Sequence, residues 1–239
     1  MKKYSLLLFM LAAAFLAKAQ QEVVVDANAE VRTINGSFHA IKVWGGLDLY
    51  LSQSENESIA VSASEERFRS EIKTSVENGK LRIYCTGSIL SGIKNRRLRV
   101  YVSFKALDKL EITGACDVEV VGDIAADALS IHLSGASDFM GAVKVNDLEL
   151  SLSGASDICI SGTAKTVKIE SSGASDIKGY DLITDLCSAT ASGASDINIT
   201  VNKEFSVQAS GASKISYKGN ALIKEIQSNG ASKVNRKGS

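Results

Sequence analysis

The sequence predicts an all-β protein: a parallel β-solenoid (β-helix) of about seven coils with repeats of 18–21 residues, preceded by an N-terminal β-region that caps or extends it. The first observation behind this is a marker. Gly-Ala-Cys-Asp starts at Gly114, Gly-Ala-Ser-Asp at Gly135, Gly154, Gly173 and Gly193, and Gly-Ala-Ser-Lys at Gly211 and Gly230. Successive copies are 21, 19, 19, 20, 18 and 19 residues apart. The second is alternation. Leu129, Ile131 and Leu133 are separated by Ser130 and His132. Leu148, Leu150 and Leu152 follow the same rule, as do Val167, Ile169 and Ser171, then Cys187, Ala189 and Ala191, then Phe205, Val207 and Ala209. Period two with polar partners is the mark of a half-buried strand. The third is a second corner. Gly122, Gly141, Gly162, Gly179, Gly219 and Gly238 lie six or eight residues after a first glycine, and Asn202 stands near that place in the coil from Gly193. Glycine and asparagine tolerate positive φ, so both read as corners.

A unit of about 19 residues with one apolar face cannot bury that face alone; stacking such units makes a continuous core. Adjacent strands lie about 4.8 Å apart, so seven coils give a rod of roughly 30 Å. A propeller blade needs about twice this period, and a leucine-rich repeat needs its own Leu and Asn pattern. An antiparallel sheet of hairpins is the rival. Identical corner residues at one phase favour the solenoid, because equivalent residues then stack in register.

The elements follow in chain order. Residues 1–19 read as a signal peptide: Lys2 and Lys3, an apolar run from Leu6 to Ala17, then Ala17-Lys18-Ala19 as a cleavage pattern before Gln20. The run is short for a membrane span. Lys plus Arg equals Asp plus Glu at 27 each; removing Lys2, Lys3 and Lys18 leaves 24 against 27, a mature charge of −3. Such a balance gives no electrostatic case for nucleic acid. With 45% hydrophobic residues the chain can bury a core, which excludes a disordered protein. Residues 20–108 form the N-terminal β-region. Leu47, Leu49 and Leu51 mark one strand and Ile59, Val61 and Ala63 another. Ile72, Thr74 and Val76 lead through Asn78-Gly79, a tight-turn signal, to Leu81, Ile83 and Cys85; Val100 and Val102 continue the pattern. A region of this kind shields an otherwise open strand edge. Residues 109–239 are the repeat solenoid. Export permits disulfides. The four cysteines show no C-x-x-C pair, however: Cys85 and Cys187 read as core residues, Cys159 as an exposed thiol, and no bridge is required.

The serial Ser-Gly-Ala-Ser-Asp copies, the opening Gly36-Ser37-Phe38 with Ile41 and Val43, and the Asn78-Gly79-Lys80-Leu81 segment resemble the putative auto-transporter adhesin, head GIN domain family. The resemblance covers roughly residues 30–236. It implies an exported protein of Bacteroidetes-type bacteria, an all-β fold with β-helical character and an adhesin-like role. No long segment follows Ser232 to build an outer-membrane barrel, so the expectation is not a complete autotransporter, and no type IX secretion tail is expected either.

The residues that could carry function fall into four groups. Asp117, Asp138, Asp157, Asp176 and Asp196 share one corner, so stacked coils place their carboxylates in a ladder that Lys214 and Lys233 continue. Like charges about 5 Å apart repel by nearly 1 kcal/mol even in water. The ladder reads as turn carboxylates facing water rather than calcium ligands, since the Gly-Gly-x-Gly-x-Asp signature is missing. The motif serines, such as Ser137, Ser156, Ser175 and Ser195, read as hydroxyl ladders between coils. A nucleophilic serine needs a base, and of the only two histidines, His39 and His132, the latter falls on a polar strand phase. Tyr50, Tyr84 and Tyr101 fall on outward phases and Trp44 precedes Gly45-Gly46; together they are expected to form one N-terminal contact face for a glycan or protein. Lys94, Arg96, Arg97 and Arg99 form a basic cluster that reads as protective charge at a strand edge. No motif asks for a cofactor or a metal. The expected function is therefore non-enzymatic: adhesion to a surface glycan or protein from the periplasm or surface of a Gram-negative cell. A polysaccharide lyase or hydrolase and a purely structural envelope protein are the alternatives.

Overall fold

A computed structural model describes residues 26, 28–86 and 96–238. The signal-peptide segment and Lys94 lie outside the described residues. The elements in chain order are β1 (Glu30–Arg32), β2 (Ala40–Trp44), β3 (Asp48–Gln53), β4 (Ser58–Ser62), α1 (Glu66–Arg69), β5 (Ile72–Glu77), β6 (Lys80–Cys85), β7 (Arg99–Phe104), β8 (Lys109–Gly114), β9 (Asp117–Gly135), β10 (Asp138–Gly154), β11 (Asp157–Ser171), β12 (Asp176–Ala191), β13 (Asp196–Ala209), β14 (Lys214–Lys218), β15 (Leu222–Ser228) and β16 (Lys233–Arg236).

The repeats wind a parallel β-solenoid of about seven turns. Strands β9 to β13 each run round the corners of one coil and pair in parallel with the next, one repeat apart: Leu129 lies beside Leu148, Leu148 beside Val167, Val167 beside Cys187 and Cys187 beside Phe205. Parallel pairing excludes the hairpin sheet, whose neighbours would run antiparallel. The alternating apolar positions point inward and are buried, so stacking rather than any single coil makes the core.

Two strand columns matter for function. One runs β1-β4-β7-β3-β9 and on to β14 and β16. The other runs β5-β6-β2-β8-β9 and on through β13 to β15. The N-terminal region both extends and caps the stack. Strands β2 and β3 form a coil without the Gly-Ala-Ser mark, sandwiched between β6–β7 on one side and β8–β9 on the other. Chain order and stacking order therefore differ: from Phe104 the chain passes the β2–β3 coil to begin β8. Beyond β6–β7 the direction reverses, with β4 antiparallel to β7 and β5 antiparallel to β6. Between them α1 supplies Phe68, which is buried in the core.

The Gly-Ala-Ser corner is held by its serine. Ser137, Ser156, Ser175 and Ser195 are fully buried. The Ser137 hydroxyl donates towards the Gly114 carbonyl of the preceding coil (3.1 Å) and the Ser134 carbonyl of its own (3.4 Å), and it accepts from the Cys116 N–H (3.4 Å). The hydroxyl ladder expected between coils is thus present. Cys116 occupies the serine position of the first marked coil, with Sγ 3.6 Å from the Thr113 carbonyl. Burial pushes its thiol pKa up, and pushes that of Cys187 up to about 12. Cys159 is exposed, whereas Cys85, read as a core residue, is only half-buried because it ends its strand.

The second corner departs from expectation. Gly122, Gly162 and Gly219 have positive φ, but Gly141, Gly179, Gly238 and Asn202 do not. The register slips at this bend, between Met140 and Ala142, between Cys159 and Ser161, and between Gly179 and Ile183. Extra residues absorb the turn there, so the conformational demand on one residue is relaxed. Among the described residues no helix is long and apolar enough to cross a membrane.

Candidate functional site

Each Gly-x-x-Asp corner releases an aspartate as the first outward residue of the following strand. The register joins them in one row, Asp48, Asp117, Asp138, Asp157, Asp176 and Asp196, continued by Lys214 and Lys233. Asp48 escaped the sequence reading because its coil lacks the Gly-Ala-Ser mark. Gly45-Gly46-Leu47-Asp48 nevertheless has the same Gly-x-x-Asp spacing as Gly114-Ala115-Cys116-Asp117, and that spacing was the available signal. Arg99 lies beside Asp48, with Nε 3.8 Å from Oδ2, so the row carries a cation at both ends.

Two residues along each strand lies a second outward row: Tyr50, Glu119, Met140, Cys159 and Lys178. Between the rows runs a groove of about 430 Å³, lined by Asp48, Asp117, Asp138 and Asp157 along one side, Tyr50 at one end and Lys178 at the other. Met140, 53% exposed, gives it an apolar patch. Partial burial raises the Asp138 pKa above its ordinary value, and the charges of Asp117 and Asp157 add to this. Burial and Asp117 do the same to Asp48, while Arg99 opposes them. A carboxylate with a raised folded-state pKa contributes stability that is fully present below the ordinary value of 3.8 and lost as pH rises through the folded value. Asp138→Asn is therefore expected to stabilise the protein at pH 7 and raise its melting temperature, by less than about 1 kcal/mol of stability because Asp138 is solvated. It should also flatten the pH dependence just above 3.8. Thermal melts of both proteins from acid to neutral pH check this; a lower melting point for the variant would contradict it.

The four aromatic residues do not share one face. Tyr50 stacks on Tyr101, ring centroids 5.1 Å apart and planes 17° from parallel, in the β3–β7 column at the end of the acidic groove. Trp44 stacks on Tyr84, 4.6 Å apart and 5° from parallel, in the β2–β6 column across the Gly45–Gly46 corner. Tyr50 and Tyr84 lie half-exposed on outward phases and Trp44 ends β2, but Tyr101 is 7% exposed, beside Ala60 of the cap strand β4 and close to Asp26. Arg96 and Arg99 of the basic cluster are used internally. Arg99 bonds Asp26 through two contacts (3.1 and 3.0 Å), Ser62 donates to the same carboxylate (2.9 Å), and Arg96 pairs with Glu71 (3.1 Å). These ties fasten the cap to the first coils. His132 is half-buried beside Glu149, and His39 is engaged by Asp108 at 2.8 Å. Among the described residues no group of three or more His, Cys, Asp or Glu could hold a metal ion. The aspartates form a line and do not converge on a point.

The fold is shared with solved structures of low sequence identity. A putative adhesin from Bacteroides fragilis superposes with a TM-score of 0.77 at 18% identity, covering 87% of this chain and 96% of that one. A putative adhesin from Parabacteroides distasonis gives 0.68 at 17%, covering 89% and 98%. A putative lipid binding protein from the same species gives 0.62 at 18%, covering 89% and 98%. No curated protein matches the chain. The family model described as putative auto-transporter adhesin, head GIN domain matches residues 37–221, well over half the chain, and the chain belongs to that family.

Proposed function

We propose that this protein is an exported, non-catalytic adhesin-like module of a Gram-negative cell envelope that binds an extended surface glycan along the acidic groove. The observation that carries this is the groove itself. It repeats one carboxylate per coil, about every 4.8 Å, beside the ring of Tyr50 and the side chain of Met140. Carboxylates accept charge-assisted hydrogen bonds from sugar hydroxyls, and an aromatic side chain offers an apolar surface with a polar tip. Leader-like residues 1–19 support export, and family membership supports the adhesin role.

Glycoside hydrolysis needs two carboxyl groups flanking the scissile bond; Glu119 faces the Asp row across the groove, so release of reducing ends is the outcome that separates hydrolysis from binding. A glycan array on the folded protein, followed by titration of Tyr50→Ala and Asp138→Asn/Asp157→Asn against the best ligand, tests the reading. At least tenfold weaker binding is expected from each variant, about 1.4 kcal/mol. Unchanged affinity in both, or release of reducing ends from the ligand, would overturn it.

A further inference from the structure

The sheet across the Gly45–Gly46 corner carries the opposite charge. On β2, β6 and β8 the outward residues form a grid. Lys80 and Lys109 flank the buried Ala40 in one row; Arg82, Lys42 and Glu111 make the next; Tyr84, Trp44 and Thr113 the third. Strand β5 adds Glu77, Ser75 and Lys73 alongside β6. Glu111, the least exposed of the charged residues on β2, β6 and β8 at 20%, sits among three ammonium groups: Lys109 at 2.8 Å, Lys42 at 3.5 Å and Lys80 at 3.6 Å. The Lys109 hydrogen bond and the neighbouring lysine charges pull its pKa down to about 2. One carboxylate cannot neutralise three lysines. Over the whole grid Lys42, Lys73, Lys80, Arg82 and Lys109 stand against Glu77 and Glu111, a local excess of three positive charges, with Asp108 and Glu149 acting on Lys109 at its edge. The lysine side chains are one-third to two-fifths exposed, and Lys42 lies two residues along β2 from Trp44, which stacks on Tyr84.

We infer that this grid is a second binding site, for a short acidic oligosaccharide whose negative groups meet Lys42, Lys80 and Lys109 and whose sugar ring packs beside Trp44. The grid spans about 14 Å along the stack and about 13 Å along the strands, the footprint of a short oligosaccharide rather than of one ion. Glu111 is the positioning residue: it draws the three ammonium groups together without cancelling them. The aromatic pair separates this site from a merely basic surface, because cation and aromatic together recognise a charged sugar on both its polar and its flat aspects. The site is independent of the acidic groove, which lies on the other strand column.

Calorimetric titration with oligogalacturonate, heparin-derived oligosaccharide and neutral dextran oligosaccharide at low and physiological salt tests the inference. One or both acidic probes should bind, more weakly as salt rises, and dextran should not. Binding of oligogalacturonate alone would assign a carboxylate ligand, and of the heparin fragment alone a sulfate ligand. Lys42→Gln/Lys109→Gln should weaken binding at least tenfold while staying folded at the assay temperature by circular dichroism, although it melts below the parent because Glu111 loses two of its three cations. Trp44→Ala should weaken it as well, and Asp138→Asn in the groove should leave it unchanged. No binding of either acidic probe, equal binding of dextran, or undiminished binding by the lysine variant would overturn the inference. Loss of binding in Asp138→Asn with retention in the lysine variant would overturn it too, and would assign the ligand to the groove.

Discussion

Gly154→Ala is expected to destabilise the protein by about 4 kcal/mol, whereas Gly122→Ala should cost only about 1–2 kcal/mol, although both glycines have positive φ. The strain of forcing an L-residue into that conformation is common to both. The surroundings differ. A Cβ at Gly154 would lie 2.4 Å from the Gly135 carbonyl oxygen and 3.0 Å from its nitrogen, both backbone atoms of the coil beneath; at Gly122 nothing lies within 4 Å. No rotamer relieves a clash with backbone, so the coils must separate. The hydrogen bonds from Ala155 N–H to the Gly135 carbonyl (2.7 Å) and from Ala174 N–H to the Gly154 carbonyl (2.8 Å) then stretch. Each is worth about 1 kcal/mol. Denaturant unfolding of the two variants measures the difference. Equal costs would mean that close approach of the corners does not govern the stack.

Ser156→Ala is expected to cost about 2 kcal/mol despite removing a single oxygen. Its side chain is fully buried. The hydroxyl donates towards the Ser153 carbonyl (3.2 Å) and the Gly135 carbonyl (3.5 Å) and accepts from the Ser137 N–H (3.5 Å). Alanine takes this partner from the buried Ser137 N–H and from the Ser153 carbonyl, while the Gly135 carbonyl keeps the Ala155 N–H. Ser156→Cys should be milder, because Cys116 already fills the equivalent position two coils away. The same unfolding experiment applies. An alanine cost below about 0.5 kcal/mol, within the range of ordinary surface changes, would show that the ladder follows the corner rather than holding it.

Much of the architecture was legible because the signal was local and repeated. The Gly-Ala-Ser-Asp marker, the inward Leu and Ile rows and the Asn78-Gly79 turn each specify their strand without reference to distant residues. The aspartate ladder was legible as well, since register in a solenoid is the repeat length itself. Its first member, Asp48, needed the weaker Gly-x-x-Asp spacing to be trusted without the marker. The aromatics show the limit. Alternation tells that Tyr50 and Tyr84 point outward, but not towards which side, because that depends on whether their strands join β3 or β2. The burial of Tyr101 follows from β4 folding back antiparallel over β7, which no local pattern announces. Arg99 looked like free edge charge, yet it holds Asp26, 73 residues away.

The sequence alone determined the coil: its length, its inward face, its serine corner and the carboxylate each turn presents, all set by period, side-chain size and the backbone freedom of glycine. Only the tertiary structure decided the order in which the N-terminal coils stack, the reversal that caps them, and the separation of the two aromatic pairs onto sheets of opposite charge. Lys42, Lys80, Lys109 and Glu111 come from three strands separated by up to 69 residues and meet only because β2 lies between β6 and β8. Such meetings depend on which edges find each other during folding. That choice is governed by burying the whole stack, and it leaves no periodic trace in the chain.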